Sequence, residues 1–233
     1  GILMAGILEK TGRGQVRVRL ESDCPVDEAI DTVGRTPLPP YIRREPNEAD
    51  RRRYQTVYAE ERGSVAAPTA GLHFSGELLD AIREKGIDTA TITLHVGIGT
   101  FRPLGEEDMW KKTLHSEFSV VPESAVRRIE ACRNGGGRVV AVGTTTTRAL
   151  ETAASGGDII SYRGRTNLFI KPPYPFRVVD ALVTNFHLPR SSLLMLVCAF
   201  AGRERVLAAY REAVRAKYRF YSYGDAMLIL RRE

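Results

Sequence analysis

The chain opens with alternating apolar and polar residues. In the segment 15–21, valine or leucine occupies every second position and a polar residue stands between, which is the period of a half-buried antiparallel strand. A Gly-Arg-Gly turn signal precedes this segment, so residues 2–21 are predicted to form a hairpin. A short helix is expected after Pro25.

Three prolines fall between positions 37 and 40. A run of this kind cannot continue a helix or join an inner strand, so it indicates a junction in the chain. We therefore predict two domains, residues 1–33 and residues 34–233.

From Asn47 onwards, helical patterns with capping residues alternate with short apolar runs. The predicted helices occupy residues 47–60, 75–86, 122–134, 191–200 and 203–218, and another begins after Gly143. The predicted strands occupy residues 87–96, 115–121, 138–142, 168–170, 178–183 and 227–230. Such alternation predicts an α/β fold, with a mixed or parallel sheet and helices on its faces.

Charge and cysteine content narrow the class of protein. The 233 residues carry a formal net charge of +6, which fits a polyanionic partner, although a merely basic soluble protein has the same excess. Three isolated cysteines without a CxxC pair are typical of a reducing cytosol. The longest apolar run, 191–201, is too short to span a bilayer. We expect a cytoplasmic protein with no membrane partner.

The four histidines all lie in segments interrupted by glycine or proline rather than in amphipathic helices. They are His73, His95, His115 and His187. Their positions at strand ends and in loops are typical of a site on the carboxyl edge of an α/β sheet. For each histidine taken alone, a structural hydrogen bond is the competing interpretation.

Two glycine-containing segments predict close contact with a ligand. The segment Gly143-Thr-Thr-Thr-Thr-Arg148 turns a buried strand into a helix, and its free N–H groups, hydroxyls and guanidinium favour a carboxylate, phosphate or sugar. Ordinary helix capping is the alternative. Gly97 and Gly99 lack the third glycine of a dinucleotide fingerprint, so close approach of the backbone to a ligand is the better interpretation.

Metal chemistry finds little support in the sequence. His115-Ser-Glu117 resembles half of a zinc deaminase signature, but the Pro-Cys-x-x-Cys half is absent. The histidines also lack the spacing of a metal-binding motif. We predict no metal and no bound cofactor.

Cations and aromatic residues are interleaved in two places. The first comprises Tyr41-Ile-Arg-Arg44 with Arg51, Arg52, Arg53, Tyr54 and Tyr58, and the second comprises residues 210–223. Arginine neutralises phosphates and tyrosine stacks on unpaired bases, so these segments predict contact with an RNA loop. Helical spacing of the apolar and aromatic positions in 207–218 is equally typical of a core face.

Several segments together resemble one protein family. They are Tyr54-Gln-Thr-Val-Tyr-Ala59, Gly63-Ser-Val-Ala-Ala-Pro-Thr-Ala-Gly-Leu-His-Phe74, His95-Val-Gly-Ile-Gly-Thr-Phe101, Val142-Gly-Thr-Thr145, Asp180-Ala-Leu-Val-Thr-Asn-Phe-His-Leu-Pro189 and Tyr218-Arg-Phe-Tyr-Ser-Tyr-Gly-Asp-Ala-Met227. These resemble the signature blocks of the S-adenosylmethionine:tRNA ribosyltransferase-isomerases of queuosine biosynthesis. Members carry an N-terminal segment that supplies most of a small antiparallel β-barrel. The resemblance therefore implies that residues 1–33 are the tail of that barrel domain and residues 34–233 the α/β catalytic domain.

The resemblance also implies the reaction. The ribosyl part of S-adenosylmethionine moves to 7-aminomethyl-7-deazaguanine at the wobble position of tRNA and rearranges to give epoxyqueuosine, with release of adenine and methionine. S-adenosylmethionine is then a co-substrate, and the anticodon stem-loop of tRNA is the partner. A tRNA-binding fragment without catalysis and a metal-dependent hydrolase are the alternatives.

Candidate roles follow from the chemistry that this reaction needs. His95 or His187 is predicted as base and acid, held by Asn185 and Glu117. The carboxylate or the ribose hydroxyls would contact Thr144, Thr145 and Arg148. Asp225 would orient an amine or hydroxyl, or stabilise its own turn. The remaining predicted substrate contacts are Thr69, His73, Gly97 and Gly99.

Overall fold

The structure is a computed structural model that describes residues 2–11, 15–97 and 113–231. Its strands are β1 (Met4–Thr11), β2 (Gln15–Glu21), β3 (Thr93–His95), β4 (Thr113–Val121), β5 (Val140–Val142), β6 (Tyr162–Leu168), β7 (Ala181–Asn185) and β8 (Ala226–Leu230). Its α-helices are α1 (Val26–Val33), α2 (Glu48–Arg53), α3 (Gly76–Glu84), α4 (Glu123–Asn134), α5 (Thr144–Ala153), α6 (Ser192–Ala201) and α7 (Arg203–Arg215), and a 3₁₀ helix spans Thr69–His73.

The described strands form a hairpin and two three-stranded sheets. In one sheet, β4 lies between β3 and β6 and all pairs are antiparallel. In the other, β7 lies between β5, its parallel partner, and β8, its antiparallel partner. The predicted α/β class with a mixed sheet is confirmed, and the described strands are divided between two sheets rather than joined in one.

Helix α5 lies between the two sheets and contacts β4 and β6 on one side and β5 and β7 on the other. The core around it is largely aliphatic, with Leu150, Ile170, Leu182 and Leu196, and also contains Phe176 and Phe200. Burying such side chains is the main favourable term in folding. The helix therefore fixes the position of the mixed sheet relative to the antiparallel one.

A buried carboxylate orders the segment that leads into β7. Glu151 of α5 is completely buried and accepts hydrogen bonds from the backbone N–H groups of Arg177, Val178 and Val179, at 2.9, 3.0 and 3.2 Å. Buried polar groups need such partners, since an unpaired charge in the interior is costly. The start of β7 is thereby tied to α5.

The hairpin forms where it is predicted, but its apolar residues are not half-buried. Val16 and Val18 are 49% and 40% exposed, and Met4 and Ile7 are 62% and 63% exposed. The physical reason is that β1 and β2 pair with each other as a two-stranded sheet, which covers no face of either strand. The assignment of residues 1–33 to a β-barrel domain stays a prediction.

Capping residues mark several helix starts as predicted. Asn47 forms a capping box with Asp50, and Ser75 and Ser191 accept hydrogen bonds from the third residue of α3 and α6. The predicted end of α2 near residue 60 is wrong, because the helix stops at Arg53. There the chain turns so that Tyr54, only 5% exposed, packs edge-on against Tyr223 at 5.6 Å.

Strand lengths were predicted less well than helices. The expected strand over 87–96 is a strand only at Thr93–His95, and the expected strand over 168–170 is instead the end of Tyr162–Leu168.

Among the described helices, none combines the length and the apolar composition that a bilayer crossing requires.

Candidate functional site

A cavity of about 170 Å³ lies where the end of β7 meets the first residues of α5 and α6. None of the described residues that line it is an acid, a lysine or an arginine. Its polar lining residues are Tyr41, Thr69, Thr144, Thr145, Thr184, Asn185, His187, Ser191, Tyr221 and Ser222. The others are apolar or glycine: Ala67, Pro68, Ala70, Val96, Gly143, Leu188, Pro189 and Leu193. A pocket in which apolar walls are combined with convergent polar groups is the usual form of a small-molecule site.

Helix α5 presents its positive end to this cavity. Gly143 precedes the helix with φ 99°, a conformation that favours glycine, and no side chain caps the terminus. The hydroxyls of Thr146 and Thr147 bond to carbonyls of the preceding turn, those of Val142 and Gly143, at 2.8 and 3.1 Å. Thr144 and Thr145 line the cavity, and the capping alternative for them is not supported. An uncapped helix start of this kind favours an anionic group.

A hydrogen-bond network joins three of the predicted residues, of which Thr69 and Asn185 line the cavity and His73 is not among the described lining residues. Thr69 Oγ1 donates to Asn185 Oδ1 at 2.9 Å, which leaves Asn185 Nδ2 to donate to His73 Nε2 at 3.1 Å. Asn185 is 2% exposed, so its amide orientation is set by these two partners. Burial lowers the pKa of His73, Asp225 opposes that shift, and Arg219 supports it.

His187 is held at the end of β7 by two contacts. Its Nε2 lies 2.7 Å from the hydroxyl of the fully buried Thr184, and its backbone N–H donates to the Tyr210 hydroxyl at 2.8 Å. Burial lowers the pKa of His187 to about 4, so the imidazole is neutral near pH 7. Its Nδ1 makes no hydrogen bond to any described residue and is available to a ligand.

The aromatic side of the cavity consists of residues that were predicted as RNA contacts and not as part of the substrate site. Tyr41, from the proline-rich segment, donates its hydroxyl to Ser222 Oγ and accepts from the Ser222 N–H at 2.8 Å. Its ring lies 5.0 Å from that of Tyr221. Burial raises the pKa of Tyr41, so its hydroxyl stays protonated. Both tyrosines fall in the cation-and-aromatic segments that were predicted to contact RNA, but nothing in the sequence links position 41 to position 222.

The structure corrects the role predicted for Arg148. Its guanidinium donates to Glu117 Oε2 at 2.7 Å and to the Leu168 carbonyl at 3.0 Å, and the Arg148 and Glu117 side chains are only 6% and 4% exposed. The described lining of the cavity does not include Arg148. The ion pair connects α5 to β4 and β6 instead, one turn deeper than Thr144.

The described contacts of Asn185 and Glu117 differ from the predicted support of His95 and His187, because Asn185 donates to His73 and Glu117 accepts from Arg148. The His95 ring packs 5.4 Å from Phe118, and a Cβ placed on Gly63 would lie 2.5 Å from it. The next residue, Val96, lines the cavity.

Among the other predicted contacts, Gly97 borders β3 without lining the cavity. Gly99 and the side chain of His115 lie outside the described part of the chain.

Asp225 has the turn-stabilising role that the sequence left open. Its carboxylate accepts from the Arg219 backbone N–H at 2.7 Å and from the Arg219 guanidinium at 2.8 Å, and this pairing lowers the pKa of Asp225. It closes the loop 219–225 and is not among the described residues that line the cavity.

The predicted RNA contacts divide into exposed and buried residues. Arg51 and Arg52 are exposed on α2, although Arg51 also donates to the Asp31 carbonyl at 3.0 Å. Tyr54 is buried against Tyr223, so the prediction that its ring stacks on a base is wrong.

Within the described part of the chain, no three His, Cys, Asp or Glu residues are grouped so that they could hold a metal ion.

The sequence model of the queuosine biosynthesis protein family matches residues 2–229. The chain belongs to this family. It is 57% identical over 220 residues to the S-adenosylmethionine:tRNA ribosyltransferase-isomerase of Thermotoga maritima, covering 94% of this chain and 65% of that protein. It is 52% identical to the protein of the same name from Citrifermentans bemidjiense, with 98% of this chain and 67% of the relative covered.

A solved structure agrees with this membership. The crystal structure of the Thermotoga maritima S-adenosylmethionine tRNA ribosyltransferase matches with a TM-score of 0.59 at 52% identity, covering 70% of this chain and 51% of that one. The present chain spans 65% of the length of the Thermotoga maritima relative.

Proposed function

We propose that this chain binds S-adenosylmethionine in the cavity and catalyses ribosyl transfer and isomerisation on tRNA. The ribosyl part moves to the aminomethyl group of 7-aminomethyl-7-deazaguanine at the wobble position and rearranges to epoxyqueuosine, while adenine, methionine and a proton are released. The observation that carries the proposal is the cavity at the start of α5, whose described lining residues include no acid, lysine or arginine, in a chain whose relatives are named for this reaction.

In this proposal the α5 terminus holds the methionine carboxylate. The first N–H groups of a helix have no intrahelical acceptor and carry a partial positive charge, so they favour an anion. The Thr144 and Thr145 side chains line the cavity beside them, and their hydroxyls can donate to the same group. Since no described lining residue is acidic, nothing on the wall repels the carboxylate.

His187 is proposed as the base that removes a proton from the sugar carbon beside the sulfonium. A base must be unprotonated before it acts, and the lowered pKa of His187 keeps its imidazole neutral at physiological pH. Thr184 fixes the ring through Nε2, which leaves Nδ1 for the proton. Thr69 and Asn185, which already orient each other, would hold the ribose hydroxyls.

The tRNA partner is proposed to bind through exposed cations, with its anticodon stem-loop at the cavity mouth. The net charge of +6 and the exposed Arg51 and Arg52 support an electrostatic contact. The logarithm of affinity should then fall linearly with the logarithm of salt concentration, and replacing both arginines by glutamine should make that slope shallower by about two. Filter binding at several salt concentrations measures this slope, and a flat response in the parent would contradict the proposal.

We also propose that the protein is cytoplasmic, because a tRNA-modifying enzyme acts where its tRNA substrate is.

The decisive experiment is release of adenine from S-adenosylmethionine in the presence of tRNA that carries the deazaguanine precursor. We expect adenine in proportion to modified tRNA, and none when the precursor base is absent. Chain that binds the tRNA but releases no adenine would instead support the alternative, a tRNA-binding fragment without catalysis. Because the chain spans 65% of the Thermotoga maritima relative, the same assay on a full-length relative is the matched positive control.

A further inference from the structure

A tyrosine in a strained backbone conformation lies on the cavity wall. Tyr221 has φ 74°, in the left-handed region that favours glycine, yet it carries a large aromatic side chain that lines the cavity. Non-glycine residues keep such conformations only where the surrounding structure enforces them, and these positions cluster at ligand sites. The strained backbone therefore indicates a role for the Tyr221 ring in ligand binding.

The loop around Tyr221 is fixed on both sides. The Tyr221 N–H donates to the Phe186 carbonyl at 2.9 Å, and the Gly224 N–H donates to the Tyr221 carbonyl at 3.0 Å. A Cβ on Gly224 would lie 2.4 Å from the Arg219 carbonyl oxygen, so the turn closes only with glycine at that position. Asp225 then ties the loop back to Arg219. The backbone at Tyr221 is thus held in place by the loop itself.

A second ring extends the wall. Tyr41 packs against Tyr221 with ring centroids 5.0 Å apart and planes inclined by 56°, and its hydroxyl is bonded to both the N–H and the Oγ of Ser222. Both rings line the cavity together with the small residues Ala67 and Ala70. The result is a preorganised aromatic surface beside residues that leave space for a flat group.

We infer that the Tyr41–Tyr221 wall is a subsite for the bicyclic ring of a purine or 7-deazapurine, which it binds by stacking. Aromatic side chains bind nucleobases through their π faces whatever the base, and a fixed ring loses little entropy on binding. The inference rests on the proposed function, in which two rings of this chemistry meet: the adenine of S-adenosylmethionine and the deazaguanine of tRNA. Either would place its sugar side toward the polar residues of β7 and α5.

Titration calorimetry of the whole chain with adenosine, and separately with S-adenosylmethionine, tests the subsite. Tyr221→Leu removes the ring but keeps an apolar side chain, and we expect it to weaken adenosine binding about 10- to 100-fold. Tyr221→Phe restores the ring and should recover most of the loss. Tyr218→Leu is the matched control, because Tyr218 belongs to the same segment, is 51% exposed and is not among the described lining residues. Thermal unfolding of each variant shows that the fold is kept.

The outcomes separate the subsite from the proposed function. Equal adenosine affinity in the parent and in Tyr221→Leu, or no adenosine binding by the parent, would overturn the subsite for adenine. If Tyr221→Leu instead weakens only the binding of an anticodon stem-loop that contains the deazaguanine, the purine it stacks on is that of the RNA. If adenosine binds through Tyr221 but no adenine is released from S-adenosylmethionine with precursor tRNA, the subsite stands and the proposed reaction fails.

Discussion

The end of β7 and the end of β3 each carry a histidine in a segment interrupted by glycine or proline, but the surroundings of the two histidines differ. His187 lines the cavity, with its ring held by a buried threonine. His95 packs on Phe118 and Gly63, within the antiparallel sheet that the buried Glu117–Arg148 pair ties to α5. The β7 side presents uncharged polar groups to an open space, whereas the β3–β4 side uses its polar groups to hold the scaffold together.

The largest expected effect concerns the two histidines. His187→Gln should lower the rate of adenine release by about 10²–10⁴-fold, because it removes a titrating base while keeping size and some hydrogen bonding. His95→Gln should stay close to the parental rate. Turnover at saturating substrate, with melting temperature as the check on folding, measures both. Equal losses of the rate in the two variants would show that the two histidines do not differ in their contribution to catalysis.

The next largest effect is on stability and concerns the buried ion pair between Arg148 and Glu117. Arg148→Met leaves Glu117 without its guanidinium partner and should lower the free energy of unfolding by about 3–5 kcal/mol. Arg165→Met, at an exposed position on β6, is the control and should change it by less than about 0.5 kcal/mol. Urea unfolding measures the change. A variant of normal stability that no longer binds S-adenosylmethionine would return Arg148 to the substrate site.

The neutral His187 predicts a pH dependence of stability. Its pKa is about 4 in the folded chain and near 6.5 when exposed, so the unfolded state binds the proton more readily. Stability is therefore complete above pH 6.5 and is lost as the pH falls toward 4, by up to about 3 kcal/mol. His187→Gln should show a shallower loss between pH 6.5 and 4 than the parent. Parallel curves for the two proteins would place the titration elsewhere.

The smallest effect compares two hydroxyls, one of the part-buried Thr69 and one of the buried Ser119. Thr69→Val removes the donor to Asn185 Oδ1 and should cost about 1–2 kcal/mol, because it leaves a buried acceptor unpaired. Ser119, on β4, is 1% exposed and its Oγ has no partner among the described residues, so Ser119→Ala should be neutral or slightly stabilising. Chemical denaturation of both variants tests the contrast. A clear loss in Ser119→Ala would show that this hydroxyl is bonded after all.

Features that depend on near neighbours in the chain were predictable. The caps at Asn47, Ser75 and Ser191 were found because a capping side chain bonds to an N–H three residues away. The strand–glycine–threonine start of α5 was found for the same reason, since Gly143 and the threonines act within one turn. The end of α2 was missed because burial of Tyr54 against Tyr223, far along the chain, stops the helix.

The sequence by itself determined the α/β class, the helix starts, the family and the segments from which the cavity is built. Only the tertiary structure decided which members of those segments share a surface. Tyr41 and Ser222 are 181 positions apart, yet the Tyr41 hydroxyl bonds to Ser222. Thr144 and Arg148 are one helical turn apart, yet Thr144 lines the cavity and Arg148 pairs with Glu117 in the interior. The physical reason is that local bonds fix backbone shape over a few residues, whereas packing of the core fixes which distant side chains meet.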